Sequence, residues 1–381
     1  MPSRRTLALL ALGTALAGPP SGDGGAVAAG FQGAARGYPF RFPRDHFTHP
    51  GYRTEWWYFT GRLEALDPPG RSFGYQLTFF RLGLLGKKPS LDSPWASANL
   101  VMVHAAVSDL DARSHRFSEV LWREMPYLAA LAPFPGHPLA WARAPAGSRG
   151  RMSLDLSGEA FELVAEDDRR GLAFRLSAGP GGPPVLEGPD GFSQKSTSQG
   201  YASLYYSFPR LSTEGTLEVG GRSYRVRGES WMDHEFGSSE LAPSQVGWDW
   251  FGLRLGDGRD LMLYLMRRED GSIDYAQGTL VQPGGGVRYL AASEFEVRAT
   301  ARARSAKGSA DYPAAWEVTV PSAGIALRVV PALADQEDRS ELVPGLAYFE
   351  GAVDLTWASG ERAGEGYVEL TGYGPRSRPP I

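Results

Sequence analysis

The sequence predicts an all-β protein of sandwich or barrel type. Short stretches of period-two alternation recur along the chain, as at 153–157, 172–176 and 223–227. Turn signals such as Asp67-Pro68-Pro69-Gly70, Gly256-Asp257-Gly258 and Asp270-Gly271 stand between such stretches. The chain holds 48 Gly and 29 Pro in 381 residues. That density argues against helical bundles and coiled coils. Short strands joined by tight turns build sandwiches and barrels. At roughly 150 residues per domain, the length points to two domains.

The elements follow in chain order. Arg4 and Arg5 give a cationic start, residues 7–17 are mostly apolar, and Ala26-Val27-Ala28 offers a small-x-small pattern. Such a run is too short to span a bilayer, which takes roughly 20 residues, but it suits a secretory signal. Residues 1–28 are therefore expected to form an export signal, placing the mature protein in the periplasm or outside the cell. Ser3-Arg4-Arg5-Thr6-Leu7 leaves Sec and twin-arginine export both open. Residues 29–37, rich in Gly and Ala, read as a flexible tether. A first domain is expected over 38–240 and a second over 241–381. Within the first, 124–131 reads as a short helix, with Pro126 in its first turn and Pro133 and Pro135 beyond its end. No later stretch reaches 18 apolar residues, so no transmembrane span is expected.

Composition narrows the function. The absence of Cys excludes a disulfide framework, a thiolate nucleophile and Cys-ligated metal. A net charge of −4 makes no electrostatic case for nucleic acid or an anionic membrane as partner. The 18 Phe, 16 Tyr and 10 Trp argue for a packed core rather than disorder. One G-x-S-x-G occurs, at 70–74, but a nucleophile elbow needs a strand before the serine and a helix after it. Ser72 has Asp67-Pro68-Pro69 before it and a strand-like stretch after it, which fits a hairpin turn. His234-Glu235 has no second His at zincin spacing. Asp45, His46 and His49 are compact, and His234 with Asp233 could add ligands. A His-x-x-His on an extended segment is a weak metal signature, so no metal or other cofactor is assigned.

Three aromatic clusters with ionisable residues remain, at 45–61, 228–237 and 247–251, supported by 75–81 and 205–211. If 54–60 is a strand, Glu55, Trp57 and Phe59 share one face, and Trp56 and Tyr58 the other. Trp248 and Trp250 share a face opposite Asp249 and Phe251. A carboxyl group against rings has its charged form disfavoured, so its pKa rises and it can serve as an acid near neutrality. Ring faces can also stabilise a cation. Such residues are most often core, and paired Arg and Glu or Asp most often close barrel ends. Asp233-His234-Glu235, between Trp231 and Phe236, are the poorest core material.

The stretch 48–58, Thr-His-Pro-Gly-Tyr-Arg-Thr-Glu-Trp-Trp-Tyr, resembles the opening motif of the secreted AttH-type proteins, related to carotenoid 1,2-hydratase. The segments 205–211, 231–237, 247–251, 351–353 and 366–373 resemble the same family. The resemblance implies two lipocalin-like antiparallel β-barrels packed together. It also implies an apolar tunnel with a few polar groups.

Two functions compete. The first is an exported protein that binds a hydrophobic small molecule, a lipid or isoprenoid, in an aromatic pocket. The expected pocket residues are Trp56, Trp57, Tyr58, Tyr205 and Tyr206, together with Trp231, Phe236, Trp248 and Trp250. The second is a cofactor-independent hydro-lyase. Asp233, Asp249 or Glu55 would protonate a carbon–carbon double bond, Trp231, Trp248 or Trp250 would shield the cation, and His234 would position the water. A secreted hydrolase ranks third.

Overall fold

The computed structural model describes residue 27 and residues 30–379 except 91, 92, 94, 307, 309 and 376. Apart from Val27, the expected export signal lies outside the described residues. Thirteen strands form one antiparallel sheet and ten form a second, with only short 3-10 turns as helical structure among the described residues. The first sheet runs from strand Thr54–Asp67 to strand Arg222–Ser239, and these two pair in its middle. It curls until its edges meet. Trp122 Nε1 donates to Arg143 O at 2.9 Å and Ser118 Oγ to Asp167 Oδ2 at 2.7 Å across the seam, giving a nearly closed barrel. The second sheet, from strand Gln245–Leu255 to strand Arg362–Leu370, curls into a half-barrel.

Alternation sorts the side chains into three apolar layers. Trp57, Phe59 and Leu63 point into the first barrel. Phe251, Leu263 and Trp316 fill the second. The intervening positions do not meet water. Tyr58, Tyr205, Trp231, Trp250, Tyr264 and Tyr367 pack between the two sheets as a third, aromatic layer. Polar groups tie this layer together. Tyr58 Oη donates to Glu350 Oε1 at 2.6 Å, Trp250 Nε1 donates to Tyr205 Oη at 3.2 Å, and His104 Nδ1 lies 2.6 Å from Tyr348 Oη.

Two expectations change. Residues 124–131 form no helix: Met125 bridges Ala129 across a turn, and strand Ala129–Leu131 pairs with strand Ala140–Arg143. Buried Ala129 and Leu131 help close the barrel seam, and that packing overrides the local helical pattern. The tether is anchored rather than free. Gln32 N donates to Gly51 O at 2.8 Å, Ser238 Oγ donates to Gln32 O at 2.5 Å, and the Arg36 guanidinium sits 4.5 Å from the centre of the Phe192 ring. Ser72 lies in the hairpin between Thr54–Asp67 and Pro69–Gly83, where its hydroxyl accepts from Arg62 Nε at 3.1 Å.

Close strand approach demands glycine at several points in the first barrel, Gly228 among them. Gly228 pairs with Leu63 and Thr213, and a Cβ there would lie 2.0 Å from Arg62 O. Gly228→Ala is expected to cost about 1–3 kcal/mol through forced backbone displacement. A thermal melt matching that of the unmodified protein would refute this account of the close approach.

Candidate functional site

Strand Arg222–Ser239 carries two chemistries, one on each face. Its inward face joins a buried network at one end of the first barrel. Glu55, fully buried, accepts from Arg81 Nε at 2.9 Å, Thr48 Oγ1 at 2.9 Å and the His49 backbone N–H. His49 Nδ1 lies 2.7 Å from Glu55 Oε1 and His49 Nε2 lies 3.2 Å from Asp45 Oδ1. A ring with a carboxylate at each nitrogen donates from both, so it is an imidazolium, and its pKa is raised although burial alone would lower it. His234 Nε2 donates to Glu55 Oε1 at 3.0 Å, which leaves its Nδ1 to accept from Tyr206 Oη at 2.9 Å. Burial accordingly lowers the His234 pKa, and the ring is neutral.

This network corrects the sequence reading of Glu55. Burial would raise its pKa, but His49, His234 and Arg81 hold it well below the ordinary carboxylate range. Glu55 is thus held in its ionised form, which does not suit a proton donor. His49, Glu55 and His234 offer atoms within 4.8 Å of one another, and they are the grouping that could hold a metal ion among the described residues. A cation there would have to break the His49–Glu55 contact and sit beside the Arg81 charge. The donor set fits a closed hydrogen-bond network better than a metal centre.

The outward face of the same strand looks into a cavity between the two sheets. Trp231 and Asp233 lie on this face, two residues apart. Trp56, Tyr58, Tyr205, Trp248, Trp250 and Tyr264 supply the aromatic wall. Asp233, Glu235, Glu240 and Glu369 supply carboxyl groups, and Lys195 supplies one ammonium. The cavity holds about 690 Å³ of space with its open mouth included, but only about 70 Å³ admits the centre of a water-sized sphere. It is therefore a narrow slot. Half-buried Trp56, Phe80, Trp248 and Glu369 lie on its solvent side.

Electrostatics differ sharply from those of the network. Burial raises the Asp233 pKa to about 7, against opposing hydrogen bonds from Ser207, Trp231 and Tyr205. Ser207 Oγ at 2.5 Å and Trp231 Nε1 at 2.7 Å both donate to Asp233 Oδ1, and Tyr205 is a third hydrogen-bond donor to the same carboxyl group. Burial likewise raises Glu240 and Glu369 to about 7 each. Glu369 accepts from Trp248 Nε1 at 2.7 Å. Lys195 is ion-paired to Glu235 at 2.6 Å.

The structure divides the sequence-nominated residues by strand face. Trp56, Tyr58, Tyr205, Asp233, Trp248 and Trp250 line the cavity, and Trp231 braces Asp233 behind them. Trp57, Tyr206, His234 and Phe236 do not line it, because each points inward: Trp57 Nε1 donates to His46 O at 2.8 Å, and Phe236 stacks on His49. His234 therefore cannot position water beside Asp233. Asp249 faces the second core, where Arg267 Nε lies 2.7 Å away and Tyr373 Oη donates to it. Burial still raises the Asp249 pKa, but Asp249 does not line the inter-barrel cavity. Sequence reasoning missed Lys195, Glu240, Tyr264 and Glu369 as site residues. Glu369 fell within the recognised segment 366–373, and Glu240 lies just past 231–237. Lys195 and Tyr264 carry no local signal.

A family model, AttH-like, matches residues 33–373. The chain belongs to the AttH-like family. A solved AttH protein from Nitrosomonas europaea is 31% identical, with a TM-score of 0.75, covering 90% of this chain and all of that one. Kievitone hydratase from Nectria haematococca has a TM-score of 0.64 at 15% identity, covering 91% of this chain and 96% of its own. CghA, solved with Sch210972, has a TM-score of 0.51 at 10% identity, covering 85% of this chain and 89% of its own. At such identities the last two establish a shared fold with this AttH-like protein. Comparison with curated proteins returns no match.

Two stability effects follow. Glu55→Ala leaves Arg81 and His49 buried without their counter-charge, an expected loss of about 3–5 kcal/mol in denaturant unfolding. Asp233 behaves oppositely. Its pKa rises from 3.8 to about 7 on folding, so the unfolded chain releases this proton first as pH increases. Stability falls through that window and levels off above it. Asp233→Asn is expected to raise the melting temperature at about pH 8 and change it little at about pH 4, with a maximal gain on the order of 4 kcal/mol. A gain equal at both pH values would contradict the burial account.

Proposed function

We propose that this AttH-like protein is exported and holds a hydrophobic small molecule, a lipid or isoprenoid, in the cavity between its barrels. The observation that carries this reading is a slot walled by six Trp and Tyr rings, placed where two sheets meet rather than inside either one. The export part rests on the pattern at residues 1–28 alone. Mass spectrometry of material extracted from purified protein tests the binding directly. A co-purifying isoprenoid or lipid is expected, displaced by Trp250→Ala. Protein that neither retains nor binds any apolar molecule would sink the reading.

One observation favours a second reading, hydro-lyase chemistry in the same cavity. Asp233 combines a pKa raised by burial to about 7 with a place on the cavity wall among the rings. In a hydration, the Asp233 carboxyl group would give its proton to one alkene carbon, and the cation forming on the other carbon would lie against the rings. Water entering from the mouth would form the carbon–oxygen bond and return a proton to the Asp233 carboxylate. The kinship of fold with kievitone hydratase, by name a hydratase, is compatible with this. Asp233→Asn keeps the acceptor for Ser207 and Trp231 but removes the acid. It is expected to bind ligand normally and to abolish turnover of an acyclic isoprenoid. Turnover surviving in this variant would exclude Asp233 as the acid.

A further inference from the structure

We propose that the inter-barrel cavity is cation-selective: it takes an apolar ligand bearing an ammonium group in preference to the isosteric alcohol or carboxylate. The proposal rests on the reading of this cavity as the ligand site, and it narrows the ligand class. Charge inventory is the first argument. Four carboxyl groups line the slot against one ammonium. Lys195 is already committed, ion-paired to Glu235 at 2.6 Å and lying 5.0 Å and 4.4 Å from the centres of the Tyr205 and Tyr264 rings. Asp233, Glu240 and Glu369 form no salt bridge among the described residues, and the cation near Glu240 is the already paired Lys195.

An unsatisfied atom is the second, independent argument. Glu240 is 2% exposed, lines the cavity and spends Oε1 on Thr54 Oγ1 at 2.6 Å. Its Oε2 is buried and has no hydrogen-bond partner. A buried acceptor left unmade is costly, and a ligand donor would satisfy it. An ammonium brings three donors and no acceptor, whereas a carboxylate brings acceptors only. Ring geometry is the third argument. Trp56, Trp248 and Trp250 line the slot, and aromatic rings attract cations most strongly when water is excluded.

Charge selectivity has a linked consequence. Asp233, Glu240 and Glu369 sit near the midpoint of titration at neutral pH. An arriving cation favours their ionised forms, so its binding expels protons and strengthens as pH rises. A neutral alcohol carries no such linkage.

The probes are geranylamine, geraniol and geranate, alike in chain and different in charge. Titration calorimetry on the full-length protein at about pH 6 and about pH 8, in two buffers of different ionisation enthalpy, gives affinity and proton release. Geranylamine is expected to bind at least ~10-fold tighter than geraniol at the higher pH, with net proton release. Geranate is expected to bind weaker than geraniol. Glu369→Gln should lower geranylamine affinity by a larger factor than geraniol affinity, so that their ratio shrinks, and Glu240→Gln supplies the same test if that variant fails to fold. Geraniol and geranylamine binding equally, or amine binding without proton release, overturns the selectivity and leaves the apolar-ligand reading standing. Failure of all three probes to bind overturns both.

Discussion

Where the two sheets meet, the central strands of this protein are buried on both faces, and most of the structure follows from that constraint. Where the two curled sheets pack back to back, strand Thr54–Asp67 buries Trp57 and Phe59 in one barrel and Tyr58 between the two. The same holds for strand Gln245–Leu255, with Phe251 inward and Trp250 in the shared layer. A strand buried on both faces needs large apolar groups at every position, so the aromatic content is spent largely here. Backbone pairing satisfies the main chain, and side-chain hydroxyls, indoles and carboxyls satisfy one another across the layer.

Ionisable groups buried under this constraint meet one of two fates. Glu55 lies where Arg81, His49 and His234 converge, so its charge is compensated and fixed. Asp233, only one strand away in register and facing outward, has hydroxyl and indole donors but no cation. The first arrangement fastens a barrel end; the second leaves a proton to be given or taken. Both arise from the same pair of strands, and an odd register offset of three positions puts them on opposite faces. Reactive potential in this fold is thus a matter of which face a carboxyl occupies, more than of which rings surround it.

Much of this was legible in the chain. Alternation at 54–60 correctly separated Glu55 and Trp57 from Trp56 and Tyr58, because side-chain period in a strand is fixed by backbone geometry. It also separated Trp248 and Trp250 from Asp249. What alternation could not say was which face meets a cavity and which meets a core, since both are apolar. Glu55 beside Trp57 therefore looked like Asp233 beside Trp231. Its partners Arg81 and His234 come from other strands, 26 and 179 residues away. The helical pattern at 124–131 failed for a related reason: completing the barrel seam outweighed local propensity.

Sequence by itself determined the all-β class, the two-barrel architecture through family resemblance, and the partition of each aromatic strand into two faces. These depend on local periodicity and on motifs written contiguously. Tertiary structure alone decided the rest: that the second faces of two sheets meet, that a slot remains between them, and that Lys195, Glu240, Tyr264 and Glu369 join Asp233 around it. Burial and charge pairing act through space over a few ångströms. The residues that set the state of Asp233 and Glu55 are therefore neighbours that chain order does not reveal.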